Sequence, residues 1–347
     1  VNDRGVEPVD AAAGAAMRAR VDALTKPPGS LGRLEELAVR LAEIAGGAPT
    51  HRYEARTILV GVGDHGVVAE GVSAYPQAVT AQMARGFLAG TAAIGALARA
   101  VRARVVVANF GALEDLPPHP DLLDLRVARG TANFARGAAM TREQLDAALV
   151  AGERAVAVLR ARGPLELLAL GEMGIGNTTS AAALTAIFAD ADVAAVVGRG
   201  TGIDDARLAR KIAVVEAAVA RVRGAPWDAV ASDVGGFEIV ALAGAILAAA
   251  RARIPVVLDG FVVGAAALVA GAIAPASIGY CIAAHRSQEP GHAVALARLG
   301  LRPLLELELR LGEGSGAALA LPLIEAAARM ACDMRTFAEA GVSGADA

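Results

Sequence analysis

Six short aliphatic runs separated by alanine- and leucine-rich stretches are the feature that most restricts the fold of this chain. The runs are residues 57–62, 104–108, 165–170, 193–197, 254–258 and 278–282. Runs this short and this apolar read as strands buried on both faces. With helical stretches between them they predict βαβ units and a parallel sheet covered by helices on both sides. Each run ends in glycine or polar residues. These are Gly63-Asp-His-Gly66, Asn109-Phe-Gly111, Gly171-Glu-Met-Gly-Ile-Gly-Asn-Thr-Thr179, Gly198-Arg-Gly-Thr-Gly202, Asp259-Gly260 and His285-Arg-Ser-Gln288. In an open parallel sheet the carboxyl ends of the strands are where ligands bind, so the functional edge is set before any motif is considered.

The flanks differ. Residues 11–24 and 31–45 read as amphipathic helices separated by the turn Lys26-Pro-Pro-Gly-Ser30, with Ser30 as an N-cap. From Leu304 onward the pattern returns to helix, able to pack beside the first two. Residues 260–284 carry no charge and are long enough to span a bilayer. They also divide into a helix over 261–271, a break at Ala274-Pro275-Ala276 and a buried strand over 277–284, and no second comparable span exists. The reading is a soluble chain.

Composition narrows the function classes. The 347 residues carry a net charge of −3 and only 3% aromatics, which argues against a basic nucleic-acid binder and against base-stacking platforms. Two distant cysteines, Cys281 and Cys332, fit neither a zinc spacing nor a disulfide framework, and suit a reducing cytoplasm. The start of the sequence has no apolar signal region. The five histidines make no helical pair with a nearby Glu, so no metal is expected, and His285 and His292 are read as structural.

Three loops carry candidate chemistry. Residues 171–180 join a strand to an alanine-rich helix: glycines admit an anion to the backbone, and the helix start offers N–H groups and hydroxyls. Asn177 stands where an ATPase phosphate loop needs Lys, which disfavours triphosphate hydrolysis. Gly198-Arg-Gly-Thr-Gly202, with Lys211 downstream, is a second phosphate candidate. Glu313 lies between glycines in Gly312-Glu-Gly-Ser-Gly316. It is an exposed loop residue on the plain reading, and a general base if the loop closes over an apolar pocket. Gly61, Gly63 and Gly66 match a dinucleotide fingerprint, but residues 67–72 are poorly helical.

Taken in order, eight motifs resemble the nicotinate-nucleotide:dimethylbenzimidazole phosphoribosyltransferase family of cobalamin nucleotide-loop assembly. They are Lys26-Pro-Pro-Gly-Ser-Leu-Gly-Arg-Leu-Glu35, Gly63-Asp-His-Gly66, Gly71-Val-Ser-Ala-Tyr-Pro76, the 171–179 loop, the 198–202 loop, Asp233-Val-Gly-Gly-Phe-Glu238, Leu258-Asp-Gly-Phe261 and Leu311-Gly-Glu-Gly-Ser-Gly316. The resemblance implies transfer of 5-phosphoribose from nicotinate mononucleotide to 5,6-dimethylbenzimidazole, giving α-ribazole 5′-phosphate and nicotinate, without cofactor or metal. It implies a homodimer of α/β class. Residues 51–303 would form an open, mainly parallel Rossmann-like sheet of about six strands with helices on both faces, and 1–50 plus 304–347 a small all-helical domain.

By the same resemblance Glu313 is the catalytic base and Glu172 a second acidic residue near the reacting centre. Gly174, Ile175, Gly176, Asn177, Thr178, Thr179, Gly200, Thr201, Gly202 and Lys211 hold the phosphoribosyl donor. Ser73, Tyr75, Gln82 and Leu311 bind the benzimidazole. The competing readings are a nicotinamide-dependent oxidoreductase on a similar sheet, a non-catalytic nucleotide-binding module, and a membrane protein.

Overall fold

The computed structural model describes residues 5–49, 52–200 and 202–343. Six parallel strands form one sheet: β1 Arg56–Gly63, β2 Arg104–Gly111, β3 Leu122–Asp124, β4 Leu167–Met173, β5 Val256–Leu258 and β6 Cys281–Ala283. Their order is β3-β2-β1-β4-β5-β6. The described helices are α1 Ala11–Asp22, α2 Arg33–Ala45, α3 Ala78–Leu88, α4 Ala93–Ala100, α5 Arg142–Ala161, α6 Asn177–Phe188, α7 Val193–Val196, α8 Asp205–Val222, α9 Trp227–Val234, α10 Phe237–Arg251, α11 Phe261–Ile273, α12 Pro290–Leu299, α13 Ser315–Asp333 and α14 Phe337–Ala340.

The two-residue period of a strand explains why both faces are covered. Leu59 of β1 and Leu168 and Leu170 of β4 enter a core shared with α5, α6, α10 and α11. Ile58, Val60 and Val62 of β1, and Leu167 and Ala169 of β4, enter a second core. That second core is completed by Leu37 and Leu41 of α2, Phe87 of α3, Ile94 of α4, and Leu321 and Ile324 of α13. The chain-end helices α1, α2 and α13 thus pack together and also seal one face of the sheet. Arg20 in α1 ties them further, donating to the carbonyls of Ala331 and Met334.

Three local expectations are corrected. Residues 193–197 are not a strand: Asp192 caps the short helix α7 by accepting from Ala194 N at 3.1 Å, and the two alanines carry no preference for a sheet. The sixth strand is instead β3, whose three residues pair only with β2. Ser30 is not the cap of α2. Gly32 takes that place with no side-chain hydrogen bond, and the turn is fastened by Glu35, which accepts from Gly29 N and Leu31 N and pairs with Lys26 at 2.8 Å. The uncharged 260–284 stretch is α11, a 3-10 turn over Pro275–Tyr280, and β6. Among the described residues one helix, α13, is long and apolar enough to cross a membrane, and 61% of that window is buried inside the fold.

Candidate functional site

Strand order reverses between β1 and β4, so their carboxyl ends open the crevice where a doubly wound sheet binds ligands. Val62 of β1 pairs with Met173 of β4. The loops after these strands, 64–66 and 174–176, are therefore neighbours. After β1 comes a 3-10 turn, Gly66–Glu70, rather than a helix, so the Gly61, Gly63, Gly66 match lacks the helix start that a dinucleotide pyrophosphate needs.

On one side of β4's end lies a cationic nest. Gly176 caps α6 with a φ of 96°, a left-handed conformation that favours glycine. The buried Lys211 of α8 donates from Nζ to Thr178 Oγ1 at 2.9 Å and to the Gly198 carbonyl at 3.1 Å. One ammonium thus joins the two glycine loops that the sequence singled out. Burial pulls the Lys211 pKa down to about 8, with the Glu289 carboxylate opposing the shift. Gly200 closes on the same group, its missing Cβ leaving 3.2 Å to Thr178 Oγ1. A cavity of about 100 Å³ opens here, lined by Glu172, Asn177, Thr178, Gly200, Glu289 and Leu311 among others. Thr201 lies outside the described residues, and a Cβ on Gly202 would meet nothing within 4 Å.

Glu172 is half-buried at the cavity wall, and its carboxylate accepts from Asn177 Nδ2. Its pKa is pushed up to about 8, first by burial and then by the Asp259 and Glu238 carboxylates; the Asn177 bond opposes this and Glu313 adds to it. At neutral pH it is largely protonated in the ligand-free protein.

On the other side of β4's end lies Glu313. Gly312, Glu313 and Gly314 have φ of 84°, 65° and 86°, three consecutive left-handed residues, and the non-glycine one costs on the order of 1 kcal/mol. The loop can lie on β4 because Gly171 has no side chain: a Cβ there would sit 2.4 Å from Gly314 N. Asp259, at the end of β5, fastens the loop, with Oδ2 accepting from Gly314 N at 3.0 Å. Its Oδ1 accepts from Gly316 N at 2.7 Å and Ala317 N at 3.0 Å. These contacts also satisfy free N–H groups at the start of α13.

Glu313 is 4% exposed, which overturns its reading as a solvated loop residue. Burial raises its pKa; the backbone N–H of Ile94 at the start of α4 opposes the rise and Asp259 adds to it. Its Oε2 has no hydrogen-bond partner. Buried, raised and half-unpaired, it is ready to accept a proton from a ligand.

The remaining expected residues gather less closely. Leu311 lies at the cavity rim, 56% exposed. Ser73 is half-buried, while Tyr75 and Gln82 point into solvent, and none of the three lines the cavity. The segment nonetheless meets the phosphate loop, since Ile175 N donates to Thr80 Oγ1 at 3.1 Å. Sequence reasoning missed Asp259 as the fastener of the loop, although Asp259-Gly260 follows a strand. It also missed Glu289, one residue past the polar 285–288 stretch. Among the described residues no group of three or more His, Cys, Asp or Glu side chains is placed to hold a metal ion. A larger hollow, about 520 Å³, lies at the opposite edge of the sheet near Tyr53, Arg160, Glu166 and Arg253. It receives no glycine loop and no buried carboxylate, and the carboxyl edge is the better site on chemistry.

Known proteins carry the same architecture. A family model described as Phosphoribosyltransferase (DBI_PRT) matches residues 6–342. A nicotinate-nucleotide–dimethylbenzimidazole phosphoribosyltransferase from Chloroflexus aggregans is 51% identical over 340 residues, covering 97% of this chain and 96% of the relative. One from Deinococcus radiodurans is 51% identical, with 99% and 95% covered. The crystal structure of CobT from Thermus thermophilus superposes with a TM-score of 0.92 at 51% identity, over 96% of this chain and 99% of that one. With a model matching almost end to end and relatives sharing half of all residues, this chain belongs to the phosphoribosyltransferase family.

Proposed function

We propose that the protein transfers the 5-phosphoribosyl group of nicotinate mononucleotide to 5,6-dimethylbenzimidazole, releasing nicotinate and forming α-ribazole 5′-phosphate. The observation that carries this reading is the pairing across the end of β4 of a buried cation joining two glycine loops with a buried, half-unpaired carboxylate. The names of the relatives supply the substrates.

The donor phosphate sits against Lys211, Thr178 and the glycine loops around Gly174, Gly176 and Gly200, with the helix start of α6 adding positive potential. The nicotinate ring is a pyridinium while bonded to the anomeric carbon; it takes the C–N bonding electrons and departs neutral at the ring nitrogen, so no proton is needed. The benzimidazole attacks the opposite face through one ring nitrogen, converting a β-linkage to an α-linkage. Its other nitrogen sheds N–H as charge develops, and Glu313 takes that proton. Glu172 faces the ribose from the cavity wall. Carrying a proton in the free protein, it releases that proton to solvent when the positively charged pyridinium ribose binds, and the carboxylate then stabilises the cationic charge that builds at the sugar.

Ser73, Tyr75, Gln82 and Leu311 form the benzimidazole side in the same reading. The homodimer, the cytoplasmic setting and the division into a 51–303 catalytic unit with a helical unit from 1–50 and 304–347 belong to the same proposal. The deciding experiment is incubation with nicotinate mononucleotide and dimethylbenzimidazole, with mass detection of the riboside phosphate. Absence of that product under saturating donor and acceptor overturns the reading.

A further inference from the structure

Besides the 26–35 turn, two of the eight sequence motifs take no part in the chemistry above: Gly63-Asp-His-Gly66 and Asp233-Val-Gly-Gly-Phe-Glu238. They are far apart in sequence and meet in the fold. His65, 1% exposed at the end of β1, approaches Glu238, fully buried in the first turn of α10, with Nε2 2.6 Å from Oε1. The other ring nitrogen, Nδ1, lies 3.0 Å from Ser180 Oγ in α6. Whichever tautomer His65 holds, both nitrogens are engaged, and one ring ties β1, α6 and α10 together.

The surrounding glycines show what the pair supports. A Cβ on Gly63 would lie 2.4 Å from Glu238 Oε2, and one on Gly236 2.2 Å from His65 Cε1. In the phosphate loop, a Cβ on Gly174 would lie 3.2 Å from Glu238 Oε1, and one on Gly176 3.2 Å from His65 Cβ. The loop therefore rests directly on the pair. The backbone of His65 also reaches the opposite half of the site: its carbonyl accepts from Gln77 Nε2 at 2.9 Å, within the segment assigned to the benzimidazole.

We propose that His65 and Glu238 are positioning residues that hold the Gly174–Gly176 loop and the 73–82 segment in register, so that donor and acceptor meet at one distance. Neither touches substrate. The inference rests on the functional reading above, and it explains why an ionisable pair is kept under a loop that an apolar pair could also fill. Burying such a pair costs desolvation, and its recognised use is to fix one arrangement among several.

The test uses His65→Ala, Glu238→Gln and Ser180→Ala in the full chain, each checked for native circular dichroism. Melting temperature is measured with and without nicotinate mononucleotide, together with KM and kcat. A group that only stabilises the fold lowers the melting temperature of the free protein and leaves the donor-induced rise and the kinetics of the folded fraction intact. A positioning group loses the donor-induced rise.

For His65→Ala we expect that rise to vanish and kcat/KM to fall by about 10²-fold, the scale of an ångström-sized misplacement. Glu238→Gln, which keeps a hydrogen-bonding atom toward His65, should retain most of both. If His65→Ala does not fold, Ser180→Ala carries the test, with a roughly tenfold rise in donor KM expected from losing one of the ring's two anchors. Wild-type KM, kcat and donor-induced rise in whichever of these two variants is folded overturn the inference. A wild type that is stabilised by donor yet forms no riboside phosphate sinks the functional reading while the loss of the rise in the variants still supports the positioning role. A wild type that gains no stability from donor overturns both.

Discussion

The two sides of β4's end are built on opposite plans. On the Lys211 side the cation is already held: the ammonium has Thr178 and the Gly198 carbonyl, and Asn177 reaches Glu172, while Thr179 Oγ1 and Glu289 Oε2 beside them lack a partner. On the Glu313 side three left-handed residues present a buried carboxylate whose Oε2 has no partner. A cation held in this way suits binding, because a ligand meets donors already in place. An unpaired buried carboxylate is costly in the resting protein and gains most when a proton arrives, which suits chemistry. The two sides should therefore separate in kinetics, one moving affinity and the other turnover.

The largest effect expected is from Glu313→Gln. The amide keeps the shape and can still accept from a benzimidazole N–H, but cannot take the proton, so kcat should fall by about 10²–10⁴-fold with both substrates still saturating. Turnover within a few-fold of wild type would move the base to Glu172 and erase the contrast. Next comes Asp259→Asn, which tests whether the contrast depends on how the loop is held. An amide cannot accept on both atoms, so at least one of the bonds to Gly314, Gly316 and Ala317 is lost. Stability should drop by about 2 kcal/mol, the scale of a hydrogen bond to a charged group. Chemical denaturation measures this, and kcat should fall while donor KM stays nearly constant. Asp259 also pushes the Glu313 pKa up, so its removal should move the acid limb of the rate profile to lower pH.

How much of this was legible in the sequence depends on how local each signal is. β1, β2 and β4 were readable because each is a continuous aliphatic run buried on both faces. β3 was not, because three residues pairing with one neighbour carry no period. Residues 193–197 misled because a run with two valines at its end scores as a strand until the Asp192 cap is taken into account. The glycine loops were legible as anion sites. The reason for one glycine was not: Gly176 reads as an opening for phosphate, yet a Cβ there would strike Val68 Cγ2 at 2.7 Å and carry a φ of 96°. Gly176→Val would therefore strain the fold as well as the site. Glu313 could be picked out by its glycine neighbours, but its burial depends on Gly171 and Asp259, which are distant in sequence and supply the space and the fastening.

On the binding side, Lys211→Ala should weaken nicotinate mononucleotide by about 1–3 kcal/mol, the range for a charge-assisted hydrogen bond, with kcat at saturation changed little. Titration calorimetry and initial rates measure the two quantities separately. An unchanged donor dissociation constant would place the phosphate elsewhere. A large loss of kcat at saturating donor would show that the two sides are not separable.

The smallest effect sharpens the same contrast through protons. Lys211 and Glu172 both titrate near pH 8 in the free protein, but a ligand pulls them in opposite directions. At that pH about half of the Lys211 groups are neutral, and a phosphate dianion favours the ammonium, so binding takes up a proton. The positive pyridinium ribose of nicotinate mononucleotide favours ionised Glu172, so binding releases one. Ribose 5-phosphate, which carries the anion without the cation, should therefore show net uptake at pH 8, read from the dependence of binding heat on buffer ionisation enthalpy. Nicotinate mononucleotide should show less uptake, and Glu172→Gln should bring it back to the ribose 5-phosphate value. As pH rises through 8, Lys211 loses its proton and donor affinity should weaken several-fold, whereas the acid limb of turnover tracks Glu313, raised above an ordinary glutamate. Equal proton uptake for the two ligands would mean that Glu172 does not face the sugar, and the chemistry would then rest on Glu313 alone.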